Sequence, residues 1–69
     1  MSNHVYAISE LVGSSPDGVE AAVKNALQSA SQTVRNLDWF EVTEVRGHLA
    51  DGKVADWQVG LKLGFRVDK

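Results

Sequence analysis

Cysteine is absent from the chain, which removes disulfides, thiolate metal sites and a thiol nucleophile. Only two histidines are present, His4 and His48. They are too few and too far apart for a structural zinc site, so no metal is expected. The seven basic residues never stand next to one another. The electrostatic footprint of a nucleic-acid binder is therefore missing. No segment approaches the roughly 20 apolar residues that span a bilayer, so no membrane association is expected. Nor does the region after Met1 show the charged and apolar blocks of a signal peptide. The expectation is a soluble cytoplasmic protein. Catalytic signatures are equally scarce. There is no glycine-rich phosphate loop and no His–Glu metal spacing. Ser, His and Asp occur, but nothing in their spacing brings them together. Glu41 and Glu44 read as a solvated strand edge rather than an acid–base pair. No catalytic residue is assigned, and an enzyme is not expected.

What is present is a small domain with clear periodicities. At 69 residues, one domain spans the whole chain, 1–69. A chain of this size buries only about 60% of the surface its unfolded form exposes. Domains so small usually add disulfides, a metal or a partner subunit. With the first two gone, oligomerisation is the expected compensation.

Residues 4–13 are rich in β-branched and aromatic types and stop at Gly13, which predicts a strand. Ser15, Pro16 and Asp17 form a helix-start signal, with Ser15 as N-cap and Pro16 at the first helical position. Val19, Ala22, Val23, Ala26, Leu27, Ala30, Val34 and Leu37 then keep a helical rhythm, predicting a helix over 16–36. Its stripe is mostly alanine and valine, so it can lie close to a sheet. Residues 39–49 predict a second strand. Its alternation slips between Val42 and Val45, which calls for a β-bulge near Thr43 and Glu44. Asp51-Gly52 signals a hairpin turn. Residues 54–67 alternate most cleanly. Trp57, Val59, Leu61, Leu63, Phe65 and Val67 share one face; Gln58, Gly60, Lys62, Gly64 and Arg66 share the other. The fold class is α+β with the order β-α-β-β, a small sheet curled around one helix, with its far face open.

Two of only five aromatic residues, Trp39 and Phe40, are adjacent. Successive strand side chains point to opposite faces, so both rings cannot enter one core. Counting from the strand pattern, Phe40 should pack against the helix and Trp39 should face away. Trp57, on the helix side, reads as core. An outward tryptophan is either a ligand platform or the anchor of a subunit contact. Gln58 faces the same way, and its flat amide offers one acceptor and two donors that match a donor–acceptor ring edge such as a pyrimidine or flavin. Arg46 and Arg66 are candidates for phosphate binding, or else partners of Glu44, Asp56 or Asp68. His48 receives no role.

The segment Leu37-Asp38-Trp39-Phe40-Glu41-Val42, with Val45-Arg46-Gly47 and Trp57-Gln58-Val59 after it, resembles the dodecins. So does the opening Glu10-Leu11-Val12-Gly13-Ser14-Ser15 before an alanine-rich helix. The resemblance covers nearly the whole chain. It implies a three-stranded antiparallel sheet wrapped around one helix, and twelve copies in a hollow homo-oligomer. It also implies flavin binding, with FMN favoured over riboflavin or FAD, in pairs at two-fold axes between tryptophans. Trp39 would then stack, Gln58 would meet the ring edge, and Arg46 and Arg66 would lie near flavin and phosphate. Some members also hold coenzyme A, and no segment here specifies it. The role implied is storage and sequestration of flavin, with quenching of its photochemistry. The alternative is a structural or interaction oligomer in which Trp39 anchors a protein contact and no small molecule binds.

Overall fold

The computed structural model describes residues 3–67. The elements follow the expected order: β1 (Val5–Ser15), α1 (Val19–Ser31), β2 (Leu37–Ala50) and β3 (Lys53–Val67). The three strands form one antiparallel sheet in the order β1-β3-β2. The last strand, with the most regular alternation, is therefore the central one.

The β2–β3 hairpin turns at Asp51 and Gly52, both with positive φ (53° and 75°). Two consecutive left-handed residues match the right-handed twist of the flanking strands, which is why Asp-Gly is favoured there. The anticipated bulge lies where the alternation slipped. The register jumps between Val42 and Glu44, so Thr43 is the extra residue. Val42 and Val45 consequently oppose Leu61 and Val59, and both keep to the helix side.

The core is narrow. Val59, Leu61 and Leu63 alternate on the helix face of β3, all 1% exposed or less, and meet Ala22, Ala26 and Ala30. Alanine at every fourth position gives the helix a flat side, and Gly13 brings it closer still. A β-carbon at Gly13 would run into the Ala22 carbonyl oxygen and stand 2.8 Å from Ala26 Cβ. The close approach of α1 to β1 thus requires glycine there.

Both ends of the helix differ from the periodicity reading. Ser15 is not the N-cap. It stays in β1, paired with Trp57, and its Oγ accepts the Asp17 N–H at 3.0 Å. The cap is Gly18, at φ 135°, and Pro16 sits in the turn. At the far end, the Ala30 carbonyl accepts the N–H groups of both Thr33 and Val34 (3.1 and 2.8 Å). The helix closes at Ser31 and not at residue 36. Val34 and Leu37 continued the apolar rhythm, yet they belong to the turn and to β2.

The helix lies over β1 and β3, and this leaves β2 uncovered: apart from Leu37, every residue of β2 is exposed. Phe40 faces the helix side, as its partner Leu63 does, but it is 47% exposed and so does not pack beneath α1 as expected. Trp57 is only half-buried, which corrects its placement in the core. The radius of gyration is 14.4 Å, against about 11 Å for a compact domain of this length. The accessible surface is 5021 Å², whereas a monomer of this mass typically shows about 4,250 Å². Among the described residues no helix is long and apolar enough to cross a membrane.

Candidate functional site

The sheet face turned away from α1 carries the polar half of β3. Cross-strand pairing arranges it in rows. Ile8, Gly64 and Trp39 form one row; Ser14, Gln58 and Arg46 form another. Between them lie the charged row of Glu10, Lys62 and Glu41 and the row holding Gly60 and Glu44. His48 and Asp56 follow beyond Gln58.

Trp39 faces outward, as the strand count anticipated. A β-carbon built on Gly64 points away from the helix, and the atoms it meets are Cε2, Cζ2 and Cδ2 of the Trp39 indole. Cδ2 and Cε2 are the ring-fusion atoms, whose in-plane directions are all occupied by other ring atoms, and Cζ2 is bonded to Cε2. The glycine therefore lies under the face of the indole rather than beside its edge. One face of the ring rests on the sheet. The residue is still 41% exposed, a large value for a tryptophan so closely seated.

Gln58 is half-buried on the same face, with Arg46 directly opposite. The Arg46 guanidinium donates to Glu44 Oε1 at 3.3 Å. Both side chains are largely exposed, and such a surface pair contributes no more than about 1 kcal/mol. Arg46 can exchange this partner for a ligand phosphate at little cost. Asp56, one of the partners considered for the arginines, is engaged elsewhere: His48 Nδ1 and Asp56 Oδ1 are 3.2 Å apart. That cross-strand pair had no signal in the sequence beyond its position two residues past Arg46.

Arg66 stands at the opposite end of β3. Its N–H donates to the Asn36 carbonyl at 3.1 Å, and the Asn36 side-chain amide donates back to the Arg66 carbonyl at 3.4 Å. Asn36 adopts φ 63°, and this backbone reversal feeds the chain into β2 just before Trp39. Asp68, its other candidate partner, lies outside the described residues.

The four candidate residues thus fall into two groups. Trp39 sits opposite Gly64 and is near Arg66; Gln58 sits opposite Arg46. Gly64 and Gln58 are six positions apart on one strand, which at about 3.3 Å per residue is roughly 20 Å. No single tricyclic ring reaches across that span. Within one chain, therefore, the indole of Trp39 and the amide of Gln58 stand at opposite ends of the same sheet face.

The family model described as Dodecin matches residues 5–68. A dodecin from Thermus thermophilus is 49% identical over 65 residues, 94% of each chain. Among solved structures, a dodecin from Streptomyces coelicolor superposes with a TM-score of 0.95 at 67% identity, covering 100% of this chain and 99% of the other. A dodecin from Streptomyces davaonensis superposes with a TM-score of 0.94 at 57% identity, covering 99% and 100%.

Proposed function

The chain belongs to the dodecin family, and on that premise we propose that it binds and stores a flavin, FMN foremost, without turning it over. The observation that carries this reading is the Trp39 indole. It lies face-down over Gly64 with its other face exposed, which leaves a flat aromatic surface for a flat ring. Stacking contributes about 0.5–1.5 kcal/mol beyond the area it covers.

The residues fit a flavin in kind as well as in shape. Gln58 supplies both donors and an acceptor for the polar edge of the ring. Arg46, engaged in an exposed ion pair with Glu44, supplies a guanidinium for a phosphate. Because Trp39 and Gln58 of one chain are too far apart to share a ring, the site forms between copies. The apolar side chains left exposed on both faces of the sheet, among them Phe40, Val42 and Val45 on one side and Tyr6, Ile8 and Val12 on the other, support a homo-oligomer. The dodecamer of the family is the assembly we assign. When bound, a flavin supplies a photo-excitable ring, and an indole stacked on it donates an electron to the excited state and so quenches it. Trp39 then keeps the ligand dark and shielded from water, while Gln58 fixes its orientation. Riboflavin and FAD present the same ring and are weaker candidates for the same surface. Coenzyme A remains a secondary ligand suggested by the family alone.

Titration of the protein into FMN, with flavin emission followed at each step and mass measured by light scattering, tests this directly. The expected result is a saturable loss of emission with an oligomer present throughout. Unchanged emission at micromolar oligomer would favour a purely structural assembly in which Trp39 anchors a protein contact.

A further inference from the structure

We propose that Gly64 is a positioning residue for the stacking surface: its missing β-carbon sets the depth and the plane at which the Trp39 indole lies. The inference rests on the flavin-binding reading for its consequence, but its geometry stands without any ligand. Gly64 is buried in an isolated chain, and what covers its outward side is the indole. The described glycines of β3 are Gly60 and Gly64, both on the outward face, and they differ in what a methyl group would meet. At Gly60 the nearest atoms are Glu44 Oε1 and Thr43 Oγ1, each at 3.1 Å, and an exposed carboxylate can swing aside. At Gly64 the three nearest atoms all belong to one rigid ring. Glycine in the interior of a central strand costs stability relative to a residue with a side chain. Here the vacancy is filled by an aromatic face from the adjacent strand.

A methyl group at Gly64 forces the indole off the sheet. Carbon–carbon contact distances of about 3.5–4 Å require the ring to rise by about 1.5–2 Å or to rotate about χ1. Either movement shifts the surface on which the flavin stacks, and displacements of this size are large for a site built from flat contacts. The same movement opens the indole's lower face to solvent, which gives a readout independent of flavin.

The test uses Gly64→Ala and, as control on the same strand face, Gly60→Ala, both in a Trp57→Phe background so that Trp39 is the only tryptophan. Acrylamide quenching of Trp39 emission in the ligand-free oligomer should become at least twofold more efficient in Gly64→Ala and stay unchanged in Gly60→Ala. FMN affinity should fall at least tenfold in Gly64→Ala and less than threefold in the control, at equal oligomer mass. Unchanged quenching and unchanged affinity in Gly64→Ala would overturn the proposal. A changed quenching constant with no FMN binding in any variant, the parent included, would uphold the positioning role and sink the flavin reading instead. If Gly64→Ala fails to assemble, the double variant Trp39→Ala/Gly64→Ala decides. Recovered assembly identifies the indole as the colliding group; continued failure means that the glycine serves the backbone, and the proposal falls.

Discussion

Removing the indole is the perturbation whose size the structure lets one work out. Trp39 is 41% exposed, so about 100 Å² of a side chain that offers up to about 250 Å² is available for a ligand to cover. At about 25 cal/mol per Å², covering it contributes about 2.5 kcal/mol. Aromatic stacking adds about 0.5–1.5 kcal/mol beyond area. The total, about 3–4 kcal/mol, corresponds to a weakening of FMN binding by roughly 140- to 700-fold for Trp39→Ala, at 1.4 kcal/mol per decade. Because β2 is exposed along nearly its whole length and Trp39 is absent from the buried core, folding of the subunit should survive. The assay is a fluorescence titration of FMN, with circular dichroism and light scattering to verify fold and mass. An affinity within threefold of the parent protein, at unchanged mass, would refute the stacking role and the reasoning behind the number.

Further expectations concern other parts of the site and the scaffold. Gln58→Ala should weaken riboflavin and FMN by the same factor, about 3- to 30-fold, since it removes hydrogen bonds to the shared ring; unequal losses in the two titrations would place the amide elsewhere. Arg46→Ala should weaken FMN while leaving riboflavin within twofold, and equal losses would deny it a phosphate contact. Ala26→Leu should destabilise by about 1–3 kcal/mol through overpacking between helix and sheet, lowering the denaturant midpoint; an unchanged midpoint would mean that the helix floats above β3. Lys24→Ala removes an exposed i,i+4 pair with Glu20, 3.1 Å long, and should alter stability by no more than about 0.5 kcal/mol, a shift within the error of the same experiment.

Much of this was legible in the sequence wherever one force acted alone. The hairpin followed from Asp51-Gly52, because two left-handed residues leave few alternatives. The bulge followed from a single slipped alternation, since an extra residue is what returns Val45 to the helix face. Trp39 facing outward followed from its adjacency to Phe40. The errors arose where tertiary packing decides. Val34 and Leu37 extend the apolar stripe past Ser31, and periodicity cannot distinguish a continuing helix from a turn that happens to place its apolar residues well. Ser15 and Pro16 look like a cap, but pairing of Ser15 with Trp57 keeps it in the strand. The exposure of Phe40 was hidden for another reason: a helix of 13 residues covers two strands and not three, and its footprint has no width in the sequence. Trp57, although on the covered strand β3, pairs with Ser15 at the end of β1, at the margin of the core. Gly64 looked like a thinning of the strand, and its seat for the indole required knowing which residue lies across from it.

The most direct test is a crystal structure of the oligomer grown with FMN. The account predicts the flavin ring stacked on the exposed face of Trp39 from one subunit, with the Gln58 amide of a different subunit at its polar edge. A ring bound anywhere else, or Trp39 buried against a neighbouring chain with no flavin beside it, would contradict the account.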